Sequence, residues 1–227
     1  MRTIDRLPQV SAEDGKLRQR TIDQIRAAGL QLIYERGYEG MGLRLLARKA
    51  GIGQSTLYGH FATKQDLLLD LICLHMDDLL TSLRRHVPEA GPPLPRFLAF
   101  VRFHLAYHLR RHREVFICYS ELRSLNPDNH ARVTKLRGIY EHVLIGIIRE
   151  GIETGIMRRA DARVAAYGIL SLLSGVTAWF DSDGPLSEVE VCDEYTRLAL
   201  AAVTDPLGAV MSMGGTALSP DNGPIRD

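Results

Sequence analysis

Residues 51–68, GIGQSTLYGHFATKQDLL, decide how the N-terminal third of this chain folds. Just before this stretch, apolar residues recur on one face of Leu43–Ala50, which predicts a short helix, and Gly51 can adopt the left-handed conformation that ends it. Within the stretch, Gln54–His60 is predicted to be a second short helix. Two short helices joined by a three-residue turn that contains glycine are typical of a helix-turn-helix.

The second helix of such a unit enters the major groove of DNA with its N-terminal side chains against the base edges. Hydroxyl and amide groups occupy that position here, and a tyrosine, a histidine and a lysine that can donate to phosphate oxygens follow them. A helical hairpin without DNA would instead use Tyr58 as a half-buried core residue and leave His60 and Lys64 solvated. The predicted DNA contacts are Arg44, Gln54, Ser55, Thr56, Tyr58, His60 and Lys64.

Charge is distributed unevenly along the chain. The 227 residues have a net charge of +1, and 45% of them are hydrophobic, which suits a globular protein with a core. Residues 16–64, however, hold nine Lys or Arg against three Asp or Glu. This basic segment favours a polyanionic partner for the N-terminal third alone, with a solvated basic helix face as the alternative.

The cysteines and the apolar segments indicate the compartment. Cys73, Cys118 and Cys192 are far apart and form no CxxC pair, which argues against a disulfide framework or a zinc site and fits a reducing cytoplasm. The N-terminus has no apolar segment typical of a signal peptide. Residues 164–180 are uncharged but shorter than the roughly 20 residues that a bilayer requires, so we expect a buried helix and no membrane partner. No cofactor is expected.

Helical periodicity runs through the chain, and no segment alternates with the period of a strand. The predicted fold is therefore all-α, with about nine helices. Their expected ranges are 17–36, 43–50, 54–60, 64–87, 96–112, 114–125, 128–154, 162–180 and 188–204. We expect disordered segments at 1–15 and 205–227, a helix-turn-helix DNA-binding domain at 16–62, and a ligand-binding and dimerisation domain at 63–204.

Residues 37–68, GYEGMGLRLLARKAGIGQSTLYGHFATKQDLL, resemble the DNA-binding region of TetR-family transcriptional regulators. That pattern pairs a helix-turn-helix ending in TLYxxF with a following xxKxxLL, and the resemblance covers about residues 17–70. It implies DNA contacts by Thr56, Tyr58, His60 and Lys64, and repression of transcription as the default. The chain departs from the family in its helix caps, because Gly42 and Gly53 replace the usual Ser or Thr; glycine is a tolerable cap.

Within the remaining two thirds, the stretch 121–203 resembles the TetR subgroup that responds to acyl-CoA thioesters, including regulators of fatty-acid and sterol-ring degradation. The resemblance implies a helical domain that binds a small hydrophobic effector. Polar and aromatic residues within its apolar helices are the candidate contacts, and arginines among them could meet CoA phosphates. Ordinary core aromatics and solvated arginines are the alternative. The candidates are His104, His108, Tyr119, Arg123, Arg137, Tyr140 and Trp179.

The last two predicted helices favour a homodimer. Residues 164–180 are apolar nearly all round and must be covered on more than one side, and their small residues would let another helix approach closely. Two-fold symmetry would place recognition helices at half-sites about 34 Å apart on a palindromic operator. The predicted interface residues are Gly168, Ser171, Gly175, Val189, Tyr195 and Ala199.

One alternative uses the histidines. His104, His108 and His112 recur at one-turn spacing and could hold a metal in an enzyme or a metal-binding protein. No Asp or Glu completes such a motif locally, and HExxH is absent. A DNA-binding regulator is therefore favoured over an enzyme.

Overall fold

The computed structural model describes residues 12–204, and within that range it contains nine α-helices, two short 3₁₀ turns and no strand. The predicted all-α class is confirmed. The helices are α1 (Ala12–Gly40), α2 (Leu43–Ala50), α3 (Gln54–His60), α4 (Lys64–His86), α5 (Pro93–Arg110), α6 (His112–Ser120), α7 (Pro127–Glu153), α8 (Ala162–Ser174) and α9 (Glu188–Val203). The 3₁₀ turns are Leu122–Ser124 and Gly175–Ala178.

The predicted terminal segments are only partly within the described range. Residues 1–11 and 205–227 lie outside it. The prediction of disorder is wrong for residues 12–15, because α1 begins at Ala12 rather than at 17. At its other end α1 changes direction at Gly37, whose φ of +70° is a conformation that favours glycine.

Side-chain caps define where α4 and α9 begin. The Thr63 hydroxyl accepts from the Asp66 backbone N–H at 3.1 Å, and the Asp66 carboxylate accepts from the Thr63 N–H at 2.8 Å. Ser187 and Glu190 form the same reciprocal pair before α9. Both pairs are capping boxes, with Asp replacing the usual Glu in the first.

Two predicted helices end earlier than the periodicity indicated. The helix expected over 114–125 stops at Ser120 because Glu121, which is buried, turns its carboxylate to the Tyr38 N–H and the Ser124 hydroxyl, at 3.2 and 2.7 Å. The helix expected over 162–180 stops at Ser174. There the Thr177 hydroxyl donates to the Ser174 carbonyl at 2.9 Å, a local bond that competes with the regular helix ladder.

The core is continuous from the N-terminal helices to α9. Helix α5 lies at its centre and packs against α4, α7, α8 and α9, and its Phe97 and Phe100 are fully buried. Helix α4 packs against α1 on one side and against α5, α6 and α7 on the other. The same helix therefore belongs to the packing of both halves. Among residues 12–204 no helix is both long enough and apolar enough to cross a membrane.

Candidate functional site

Helices α2 and α3 form a helix-turn-helix whose inner face is anchored in the core. Leu57 is fully buried, Phe61 nearly so, and Ala47 is small and buried in α2. Gly51, at φ +70°, ends α2 as predicted. Since Leu57 holds one face of α3 inward, Gln54, Ser55 and Thr56 at its start are exposed, and Tyr58 is 51% exposed.

The two helix starts lack side-chain caps. Gly42 and Gly53 are both in extended backbone conformations before α2 and α3, and neither helix has a side-chain cap hydrogen bond. The first N–H groups of both helices therefore lack the side-chain acceptor that Ser or Thr would supply.

The remaining predicted DNA contacts differ in how exposed their side chains are and in whether other residues hold them. Arg44 is exposed on α2. Lys64 is only partly exposed, because its Nζ lies 3.6 Å from the Glu39 carboxylate and 4.3 Å from the centre of the Tyr38 ring. His60 is half-buried, and its Nδ1 is enclosed without a hydrogen-bond partner among the described residues. Lys64 is thus held in place beside α3 rather than freely solvated.

A second candidate site is a cavity of about 320 Å³ enclosed by α4, α6, α7 and α8, with a contribution from His108 of α5. Four of the predicted effector contacts line it: His108, Tyr119, Arg137 and Tyr140. Ser171, predicted for the dimer interface, also lines the cavity. Its volume is at the lower end of the range typical of small-molecule pockets.

Most of the residues that line the cavity were not among the predicted effector contacts. The missed residues are Ile72, His75, Met76 and Leu79 of α4, Cys118 of α6, Val133 and Glu141 of α7, and Tyr167, Leu170 and Ser174 of α8. The four residues on α4 recur at helical spacing on one face, so the sequence did contain a periodic pattern that marks this face. It could not be separated from core packing because both require apolar residues on that face.

The mouth and the deep part of the cavity differ in charge. Arg137 and Tyr119 are at the mouth, where the guanidinium lies 4.9 Å from the centre of the partly exposed Tyr119 ring, and Glu141 is nearby on α7. Deeper, burial lowers the pKa of His75 to about 4 and that of His108 to about 3. Burial also raises the pKa of the Cys118 thiol to about 12. At neutral pH the deep wall therefore carries no charge.

His104 lies behind the wall, fully buried, and organises the polar groups there. One ring nitrogen is 3.0 Å from the Tyr140 hydroxyl and the other is 3.3 Å from the Ser174 hydroxyl. The Ser174 oxygen is in turn 3.0 Å from the Tyr119 hydroxyl. This network fixes the orientation of two tyrosines that line the cavity, and His104 itself does not line it.

Two predicted effector contacts lie elsewhere. Arg123 is exposed on the 3₁₀ turn after α6. Trp179 is half exposed, stacks on Tyr195 with ring centres 6.1 Å apart, and donates its indole N–H to the Tyr195 hydroxyl at 2.9 Å. The structure thus brings neither residue to the cavity.

The histidine spacing does not produce a metal site. The rings of His104 and His108 stack with centres 3.7 Å apart, whereas His112 begins α6 and lies edge-on to Tyr34. Across residues 12–204, no group of three or more His, Cys, Asp or Glu is placed to hold a metal ion. The alternative based on these histidines has no support from their geometry.

The predicted dimer residues differ in how exposed they are on the subunit surface. Gly168, Ser171, Gly175 and Val189 are exposed, and Tyr195 is half-buried. Ala199 is fully buried within the subunit, because α9 turns that face toward α5. The prediction that Ala199 lies at an interface is wrong.

The fold and the two sites define a helix-turn-helix regulatory protein with a helical second part that contains a cavity. Residues 25–71 match the model of bacterial regulatory proteins of the tetR family, and residues 90–203 match that of the tetracyclin repressor-like C-terminal domain. The chain belongs to the TetR family, as its resemblance to that family indicated.

Known relatives cover most of the chain. The HTH-type transcriptional activator FasR of Mycolicibacterium smegmatis is 32% identical over 177 residues, which are 78% of this chain and 80% of FasR. The fatty acid metabolism regulator protein of Bacillus subtilis is 24% identical over 182 residues, 79% of this chain and 94% of that protein. Among solved structures, AibR in complex with isovaleryl coenzyme A and operator DNA has the same fold, with a TM-score of 0.75, 24% identity, and coverage of 79% of this chain and 98% of that one.

Proposed function

We propose that this protein is a cytoplasmic, dimeric transcriptional regulator that binds a palindromic operator through α2 and α3 and leaves it when a small hydrophobic effector fills the cavity. Residues 16–62 form the DNA-binding domain and residues 63–204 the ligand-binding and dimerisation domain. Its activity is regulation rather than catalysis. Repression is the mode we favour, although the relative FasR is named an activator.

The observation that carries this proposal is the path of α4. The helix begins at Lys64, directly after α3, and its residues Ile72, His75, Met76 and Leu79 form one wall of the cavity. A ligand that favours one position of α4 must therefore also favour one position of the helix-turn-helix. Such differential binding to two states is what couples two sites.

The effector that the cavity favours is an amphiphile. Apolar side chains and uncharged histidines surround its deep part, whereas Arg137 and Glu141 place charge toward the mouth. An acyl-CoA thioester fits this division, with the acyl group inside and the anionic head near Arg137. The names of the Bacillus subtilis relative and of the AibR complex support this class.

The proposal is tested in two steps. Operator sequences are selected from random duplexes with the purified protein, and acyl-CoA thioesters, free acids and hydrophobic drugs are then screened for thermal stabilisation and for release of the selected duplex. An effector at 100 times its Kd should stabilise the protein by about 2.7 kcal/mol. If acyl-CoA thioesters do neither while another class does both, the effector class is wrong.

The junction between the two parts of the protein provides a second test. The Gln65 amide donates to the Tyr38 hydroxyl at 2.9 Å and to the Ser124 carbonyl at 2.6 Å, and its oxygen accepts from the Asn126 N–H at 3.0 Å. The Gln65 side chain thus connects the end of α1 to the segment between α6 and α7. Helices α6 and α7 both line the cavity.

We expect Gln65→Ala to reduce the ratio of operator affinities without and with effector by roughly fivefold, within the usual range of coupling free energies. Effector affinity for the DNA-free protein should change little. The control is Gln31→Ala, since within residues 12–204 the Gln31 side chain hydrogen-bonds only to Glu35, on the exposed face of α1. Equal ratios for the Gln65 variant and the unmodified protein would show that coupling does not pass through this junction.

A further inference from the structure

The deep wall of the cavity holds two histidines with unused hydrogen-bonding capacity. His108 is 2% exposed and His75 is 7% exposed, and both line the cavity. They are close enough that charge on His75 would lower the pKa of His108. Buried polar groups are normally paired, so unpaired ones in a cavity point to a partner that the ligand supplies.

The tautomer of His108 is fixed by its surroundings. Its Nδ1 lies 2.8 Å from the carbonyl oxygen of His104, which can only accept, so Nδ1 carries the proton and donates. Nε2 of the neutral ring then holds a lone pair, and no donor among residues 12–204 bonds to it. Burial keeps the pKa of His108 at about 3, so this nitrogen stays an acceptor at neutral pH.

His75 provides the complementary capacity. Its Nδ1 is enclosed and has no hydrogen-bond partner among the described residues, whereas its Nε2, which also has none there, is not enclosed and is the nitrogen that a ligand can reach. Burial and the positive charge of Arg111 lower the pKa of His75 to about 4, so this ring is also neutral. A neutral imidazole has one donor and one acceptor nitrogen, so the His75 ring can donate to a ligand as well as accept from one.

We propose that the effector carries a hydroxyl group on the part that lies inside the cavity, and that this hydroxyl donates to Nε2 of His108 and accepts from the ring of His75. This inference rests on the proposed function, because it assigns the effector to the same cavity. It narrows the effector class from plain acyl groups to hydroxylated ones.

Other ligand groups satisfy these histidines less well. A plain alkyl chain leaves the His108 lone pair unpaired, and a ketone only accepts, so it leaves the same atom unpaired. A carboxylate would bring a charge to a wall whose histidines are neutral. A hydroxyl both donates and accepts from one oxygen, and it brings little polar surface to the apolar part of the wall, which includes Ile72, Leu79 and Val133.

The test compares octanoyl-CoA with its β-hydroxy and ω-hydroxy analogues by titration calorimetry against the full chain. At least one hydroxylated analogue should bind roughly fivefold to tenfold more tightly than octanoyl-CoA, the difference that one net hydrogen bond makes. In His108→Leu this preference should disappear or reverse, while octanoyl-CoA binds at least as tightly as before. Retained binding of octanoyl-CoA also shows that the variant is folded.

His108→Gln serves as a second variant, because its amide keeps an acceptor and should preserve part of the preference. If both hydroxylated analogues bind no more tightly than octanoyl-CoA, a bound water satisfies the histidines and the proposal is overturned, while the proposed function stands. A preference that survives unchanged in His108→Leu overturns it as well. If none of the three ligands binds, the assignment of acyl-CoA effectors to the cavity fails together with the proposal.

Discussion

Replacing Tyr58 and Lys64 together by alanine should reduce operator affinity by at least about a hundredfold and leave effector affinity unchanged. Tyr58 is exposed on α3, and Lys64 is held beside it by Glu39 and the Tyr38 ring. Both hydrogen bonds have an ionised phosphate as the acceptor, and loss of each costs about 1.5–3 kcal/mol. The weakening should affect all duplex sequences, because phosphate contacts do not depend on base identity.

Salt dependence separates the two side chains. Lys64→Ala alone should flatten the slope of log affinity against log salt by roughly two, since it removes one phosphate neutralisation from each subunit of the dimer, whereas Tyr58→Phe should leave the slope unchanged. Arg84→Ala is the matched control, because Arg84 is an exposed cation at the far end of α4. Unchanged affinity in the double variant would mean that α3 and the start of α4 do not contact the backbone of DNA.

The sequence predicted α2 and α3 with their boundaries, and the start of α4. Gly51 in the left-handed region ends α2, and Thr63 forms the capping box with which α4 begins. Such signals involve only neighbouring residues, so they can be read without knowledge of the tertiary structure.

Tertiary contacts decided the points that the sequence did not. Helix α6 ends at Ser120 because Glu121 bonds to the backbone of Tyr38, a partner 83 positions away in the chain. The cavity wall likewise depends on which face of α4 meets α7, and His75 and Met76 resembled ordinary core residues. Trp179 was proposed for the effector site on its chemistry alone, but it stacks on Tyr195 outside the cavity.

Helix α8 has an exposed face that we expect to form the dimer interface. Val164 is 69% exposed, and Tyr167 and Gly168 are also exposed along the same helix, as is Leu198 on α9. Apolar side chains that are grouped on a helix face indicate a partner that covers them. We propose that a second copy of the chain does so, which would set the two recognition helices at the spacing of two half-sites.

We expect Gly168→Arg to yield a folded monomer whose operator affinity is lower by at least about a hundredfold. Apart from the adjacent residues and backbone of its own helix, a Cβ added at Gly168 meets no atom of residues 12–204 within 4 Å, so the arginine fits the monomer and acts where a partner would lie. Loss of the dimer removes the second half-site contact, and linked binding usually contributes a factor of about 10²–10⁴. Sedimentation velocity measures the assembly, and far-ultraviolet circular dichroism checks the helices.

Gly15→Arg is the control, because a Cβ there also meets nothing within 4 Å but lies on the first turns of α1. An arginine on a covered helix face would leave its charge buried without a partner, so a Gly168→Arg protein that sediments as a dimer would show that the interface lies elsewhere. An unmodified protein that is monomeric at micromolar concentration would contradict the dimer itself.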